Sequence, residues 1–275
     1  MGRIIQTTSV NYEALTNSDS YVQLLPQRAP PITGDPYFGN VVLLLNGNGA
    51  NGATTTVDSS SYAATVSSSG TVALTTAAFK ANNSSSMDFT TGTGRFYVPP
   101  ASQYAIGNND FTFDLWMNPA SLQPSTFPAI LVSQRFSNTF TTDAAFQILV
   151  CQVYGSPEID LYMYSGNNQY AARWILDPFV FITGTWHHLE IGRKYGAFLG
   201  AFCDGVPLAP LAGLPSNALN VNSISYPLNV GCLNFSGVGD TDPASAYLQN
   251  VRFTNGICRH TSGFTPPTPP FPNSA

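Results

Sequence analysis

From Tyr37 to about Pro272 the chain is a succession of short apolar or alternating runs, each stopped by Gly, Pro, Asn or Asp. The stretch "DFTFDLWMNP" is the clearest. Phe111, Phe113, Leu115 and Met117 fall on one side of an extended chain, and Thr112, Asp114, Trp116 and Asn118 on the other. "NVVLLLNGNGANG", "FQILVCQV", "EIDLYMY", "YAARWIL", "WHHLEIGR", "AFLGAFCDG" and "YLQNVRFT" continue the series, and no segment keeps a helical period beyond a turn or two. Many short strands joined by turn residues predict an antiparallel sandwich rather than a fold of alternating strands and helices. Asp204-Gly205, between apolar runs, predicts a hairpin. Residues 51–86, rich in Ser, Thr and Ala, fit either a loop or a weak edge strand.

Composition points the same way. Only 9% of the residues are charged, against about 25% in an average soluble protein. Turn and strand-surface residues take their place, which disfavours long solvated helices. The net charge is −5, and of ten basic residues only Arg193 and Lys194 are adjacent. No basic stripe is available to neutralise phosphates, so nucleic acid is not an expected partner. No apolar run reaches membrane-spanning length, and "MGRIIQTTSVNYEALTN" lacks the apolar core of a secretory leader. Membrane insertion is therefore not expected, and assembly in a reducing cytoplasm is. Cys151, Cys203, Cys232 and Cys258 show no metal-ligand spacing and are expected to be free thiols, the first three as small buried hydrophobes.

The adjacent His187 and His188 raise the question of a metal or a general base. On a strand, Trp186, His188 and Glu190 share one face and His187, Leu189 and Ile191 the other, so the two imidazoles cannot jointly clasp an ion. His260 lies in a late loop with no carboxylate or cysteine cluster beside it in sequence. All three are expected to be structural. "NGNGANGA" lacks the Lys-Ser/Thr ending of a phosphate loop, and no G-x-S-x-G nucleophile motif is present.

Residues 1–36, closing on "LLPQRAPPITGDPY", read as an arm or linker stiffened by Pro26, Pro30, Pro31 and Pro36. The chain closes with a Pro-rich tail, "GFTPPTPPFPNSA", expected to be extended. Between them, "NVVLLLNGNGANG", "SSMDFTTGTGRFYVP", "NDFTFDLWMNP", "GTWHHLEIGR", "AFCDGVPL" and "YLQNVRFTNGICRHTSGFTPPTPPFP" occur in an order that resembles the laminin-G-like, concanavalin A-like jelly-roll domains of bacteriophage structural and tail-associated proteins. The resemblance covers about residues 37–272. It implies an all-β antiparallel jelly-roll sandwich over 37–275, one sheet concave, carrying an extended N-terminal arm, and a binding or structural role. Trp116, Trp186 and the Asp204-Gly205 turn match framework positions. Family members often carry acidic calcium ligands where this chain has Asn46, Asn48, Gln249 and Asn250, which leaves Asp58 as the carboxylate candidate for calcium. No cofactor is expected.

Related jelly rolls include glycanases, whose chemistry needs two carboxylates flanking the scissile bond. "EIDLYMY" supplies Glu158 and Asp160, but Met163 or Tyr162 stands where a second glutamate would fall, and the chain has only three glutamates. No catalytic residue is assigned. The same strand suggests binding instead. Glu158, Asp160, Tyr162 and Tyr164 share a face, and in the next strand Tyr170, Ala172 and Trp174 share one. If the two faces coincide, Tyr162, Tyr164 and Trp174 form an aromatic platform edged with carboxylates, on which a sugar ring could stack. Glu158, Asp160, Tyr162, Tyr164, Tyr170 and Trp174 are therefore the glycan-binding or interface candidates. The expected function is that of a non-enzymatic virion protein assembled in the host cytoplasm. Residues 1–36 would contact other virion subunits, the sandwich would bind host-surface carbohydrate, and the protein would be homo-oligomeric. The alternatives are a capsid decoration protein making only protein contacts and, less favoured, a glycan-degrading enzyme.

Overall fold

The computed structural model describes residues 34–80, 82–136, 143–235 and 238–275, and the backbone of two strands nearer the start, β1 (Tyr12–Leu15) and β2 (Gln23–Pro26). The chain divides into two units, Met1–Thr33 and Gly34–Ala275. In the first, β1 and β2 pair antiparallel, with Tyr12 opposite Pro26 and Leu15 opposite Gln23.

In the second unit the strands follow in the order β3 (Val41–Leu45), β4 (Ser67–Gly70), β5 (Ala73–Thr75), β6 (Ser86–Asp88), β7 (Gly94–Val98), β8 (Phe111–Pro119), β9 (Ala129–Arg135) and β10 (Ala144–Val153). They continue with β11 (Ser156–Ser165), β12 (Asn168–Ile175), β13 (His187–Lys194), β14 (Phe198–Cys203), β15 (Val206–Pro207), β16 (Leu228–Val230), β17 (Leu233–Phe235), β18 (Gly239–Thr241) and β19 (Ala246–Asn255). A seven-stranded sheet runs β12-β11-β10-β9-β16-β7-β4, and an eight-stranded sheet runs β15-β14-β13-β8-β19-β6-β5, with β3 also paired to β19. Each pairing of named strands is antiparallel, and the architecture is a jelly-roll-type β-sandwich. The short β4 and β5 sit at sheet edges, so the Ser/Thr-rich stretch is edge strand joined by loop.

Alternation builds the core. Phe113 of β8 stacks on Phe253 of β19, ring centroids 4.1 Å apart, and lies 4.8 Å from Phe146 of the opposite sheet. Trp174, Leu161, Met163, Ile191 and Leu248 fill the same interior. Burying side chains of this size stabilises the fold by about 1.5–3 kcal/mol each.

The outer face of the eight-stranded sheet is also closed. All nine residues of β8 are buried, not only the apolar four. The Pro-rich tail lies across this face: Trp116 Nε1 donates to Pro267 O at 3.3 Å, Phe271 is buried against Val41, Leu44 and Trp116, and Asp35 N donates to Ser274 O at 2.8 Å. Under the tail sits an ion network. Arg252 donates through Nε and Nη2 to Asp114 at 2.9 and 2.6 Å and through Nη1 to Asp35 at 2.9 Å, while Arg259 donates to both oxygens of Asp35. Burial alone would raise the Asp114 carboxyl, but the Arg252 and His188 contacts outweigh it and hold it well below the usual carboxylate range. Proline suits this tail, since its sequence needs no sheet hydrogen bonds and its backbone is already restricted.

Removing one member of a buried ion pair strands the other's charge. Arg252→Ala should destabilise the sandwich by about 3–5 kcal/mol. Urea unfolding monitored by tryptophan fluorescence checks this, and a loss below about 1 kcal/mol would show that the pair behaves as a surface one.

Candidate functional site

The outer face of the seven-stranded sheet is built differently. Three neighbouring strands, β10, β11 and β12, hold a register in which Leu149, Asp160 and Arg173 stand side by side, as do Gln147, Tyr162 and Ala171. One step along, Cys151, Glu158 and Ile175 align. Of these side chains Gln147, Leu149, Cys151, Asp160, Tyr162 and Arg173, with Arg135 of β9 and Ser125 and Pro128 of a loop, line a groove of about 440 Å³, a volume typical of small-ligand sites.

The groove's polar groups form two sets. Arg173 Nη2 donates to Tyr162 Oη at 2.9 Å, and its Nε lies 3.4 Å from Asp160 Oδ2, to which Tyr162 Oη also donates at 3.4 Å. Arg135 Nη1 donates to Gln147 Oε1 at 3.0 Å. Behind them lies a buried apolar cluster of Ile130, Leu149, Cys151 and Leu233, against which Tyr162 and Val153 pack, and of these Leu149, Cys151 and Val153 also line the groove. The groove therefore offers donors, acceptors and apolar surface together.

Asp160 and Glu158 are each only 2% exposed. Asp160 Oδ1 and Glu158 Oε2 are buried without a hydrogen-bond partner. Burial pushes the Asp160 carboxyl up to about 7, with Glu158 adding to the effect and Arg173 and Tyr162 opposing it. Burial likewise raises Glu158, Arg173 opposing.

The structure separates the six residues that the sequence grouped. Asp160 and Tyr162 line the groove, and Glu158 is buried two residues from Asp160 on the same strand face. Tyr164 shares their face but is fully buried, its ring 5.3 Å from the Arg135 guanidinium. Tyr170 lies opposite Met163 and Trp174 opposite Ile159, so both belong to the inner side of the hairpin, and Trp174, 1% exposed, is core. The expected three-aromatic platform does not form, because Ser165 pairs with Asn168 across a two-residue turn and this register brings Arg173, not Trp174, beside Asp160. Arg173, Gln147, Arg135 and Cys151 were missed. The tight "SGNN" turn was the signal for Arg173, since it fixes the register. Arg135 and Gln147 depend on pairings that no local pattern reveals.

The histidines have separate roles. His187 Nδ1 lies 2.8 Å from Asp204 Oδ2, and its Nε2 accepts from Ile182 N. His188 is enclosed by Trp116, Phe264 and Phe271. His260, contrary to its sequence surroundings, has a carboxylate partner: its Nδ1 is 2.9 Å from Glu190, and its ring stacks on Phe264 at 3.7 Å. The four cysteines are free thiols.

At the calcium positions that the resemblance implies most side chains are engaged within the protein, although Asn250 Oδ1 is buried without a partner. Asp58 spends its oxygens on Leu44 N, Ser60 N and Oγ, and Ala64 N. Asn250, at φ 53° in a bulge of β19, donates to Asn46 Oδ1 at 2.6 Å, and Gln249 accepts from Lys80 N. Amides bonded to one another replace the carboxylates calcium prefers. A second cavity, of about 470 Å³, lies beside Trp116 and Trp186. There Lys80 Nζ already covers the Trp116 ring at 4.1 Å, and the indole N–H is spent on Pro267.

No protein-family model and no curated protein matches this sequence. Solved structures do match in fold. The binding domain of Paraclostridial Mosquitocidal Protein 1 superposes with a TM-score of 0.58 at 13% identity, over 82% of this chain and 50% of that one. The binding domain of Botulinum Neurotoxin DC in complex with SialylT gives 0.52 at 12%, over 79% and 48%. A botulinum neurotoxin type C structure, whose cell entry is described as dependent upon interaction with two ganglioside molecules, gives 0.52 at 11%, over 81% and 49%. The chain thus spans about half the length of these solved chains, and it shares with them an all-β sandwich fold.

A raised carboxyl leaves a stability signature. The folded-state value of Asp160 lies above that of an unfolded aspartate, so its contribution is fully present below about pH 4 and is lost as pH rises through about 7. Thermal midpoints of chelator-treated wild type and Asp160→Asn should diverge over that window, wild type falling relative to the variant. Parallel curves would contradict the assignment.

Proposed function

We propose that this protein is a non-catalytic binding module that recognises a glycan in the groove over β10, β11 and β12. The observation that carries the reading is the Asp160–Tyr162–Arg173 arrangement in a groove also lined by Leu149 and Val153. A sugar presents hydroxyls that donate and accept, and C–H faces that seek apolar surface. Asp160 accepts, Arg173 donates, and Tyr162 supplies both a ring and a hydroxyl. Two solved domains of similar fold carry descriptions naming SialylT or gangliosides, which supports carbohydrate as the ligand class.

Binding here suits a non-catalytic role. The two closest carboxylates, Glu158 and Asp160, sit on one strand at the same side of the groove, and glycoside hydrolysis needs two carboxyls flanking the bond. We further propose the setting suggested by the sequence resemblance: a bacteriophage virion, assembled in the host cytoplasm, with several copies displayed on the particle. The 1–36 segment would attach each copy to other virion subunits, and the sandwich would meet host-surface carbohydrate. A capsid decoration protein is the second reading, favoured by the exposed rings of Phe127 and Tyr154, which adjoin the groove residues Pro128 and Val153 in the chain and could also meet another subunit.

A glycan array probed with the purified protein tests the ligand class. Wild type should bind a defined saccharide set, and Tyr162→Ala and Arg173→Ala should each weaken binding by about tenfold or more, in line with the loss of one or two well-placed contacts. Binding unaffected by both changes would place the site elsewhere, and no binding to any saccharide would favour decoration. Immunogold labelling of purified phage particles tests the setting, and absence of label would reject it.

A further inference from the structure

We infer that Cys151, Glu158 and Asp160 form a divalent-metal site of zinc type at the groove. Three observations converge. The register of β10 and β11 puts Cys151 opposite Glu158 and Leu149 opposite Asp160, so thiol and carboxylates share one face. One ligand atom from each lies within 4.8 Å of the others, and all three residues are buried. Glu158 Oε2 and Asp160 Oδ1 have no hydrogen-bond partner, although each residue is 98% buried.

Two unpartnered carboxylate oxygens buried side by side are costly unless protons or a cation neutralise them. Arg173 compensates in part, but it reaches only Oδ2 of Asp160, at 3.4 Å, and its side chain is 44% exposed. A metal ion would answer the remaining need. The donor set of one sulfur and two carboxylate oxygens suits zinc, which takes Cys at about 2.3 Å and Asp or Glu at about 2.0–2.2 Å. A hard ion such as calcium would gain nothing from the thiol. Three protein ligands would leave one tetrahedral position for water or a groove ligand. The groove, lined by both Cys151 and Asp160, supplies the entry path.

Coordination would replace a proton. An ordinary thiol is protonated near neutral pH. The metal would take the sulfur lone pair, and the thiol proton would pass to the buffer. The sequence hid this site because Cys151 and Glu158 belong to different strands and match no short metal motif. The second thiol-containing cluster, His187, Cys203 and Asp204, carries no such inference: His187 already bonds Asp204 at 2.8 Å and accepts from Ile182 N.

The inference is independent of what else the groove binds. Full-length protein stripped with chelator and titrated with Co²⁺ should develop a thiolate-to-cobalt charge-transfer band, with proton release in calorimetry and displacement of cobalt by Zn²⁺. Cys151→Ser should abolish the band and Cys203→Ser should retain it. Glu158→Gln and Asp160→Asn, near-isosteric changes expected to fold, should each weaken Co²⁺ binding by about tenfold or more. A wild-type protein that gives no band overturns the inference. So does a band that survives Cys151→Ser, or Co²⁺ affinity unchanged in both carboxylate variants.

Discussion

The register of three antiparallel strands governs this molecule. Across β10, β11 and β12 the side chains alternate strictly, and one slip would exchange the faces. As built, Ile159, Leu161, Met163 and Trp174 enter the core while Glu158, Asp160, Tyr162 and Arg173 face outward. The inner row seals the sandwich, and the outer row makes the groove. Core stability and the candidate site are two consequences of one pairing.

The two outer faces solve the same problem in different ways. On the eight-stranded sheet, Asp114, Glu190, His188 and Arg252 would be a polar surface, yet the chain covers them with its own tail and pairs them as it does so. Proline-rich sequence is suited to that cover because it lies extended without needing a sheet partner. On the seven-stranded sheet, Gln147, Asp160 and Arg173 line an open groove. Its carboxylates retain unsatisfied oxygens. A buried polar group without a partner is costly, and this is the physical reason to regard the face as a place where something binds.

Much of the fold was legible in the sequence. The alternation in "DFTFDLWMNP" gave the two faces of β8, and Asp204-Gly205 marked the β14–β15 hairpin. The alternation of "WHHLEIGR" separated His187 from His188. The site was legible only within a strand. Glu158, Asp160 and Tyr162 could be placed together because they are two residues apart. Trp174 was misplaced because the partner face depends on register, which the turn encodes less visibly than polarity does. Arg135, Gln147 and Cys151 come from strands separated from β11 or paired with it at a distance, and the covering of β8 by residues 257–275 is a long-range event. Neither leaves a local period to read.

We propose that ligand recognition occurs on the β10–β12 face. Hydrogen–deuterium exchange with and without a bound saccharide tests it most directly, since it reports where the backbone is protected without presuming which side chains matter. Protection should concentrate in residues 144–175. Protection centred on residues 185–204 and 264–269, around the second cavity beside Trp116 and Trp186, would contradict it.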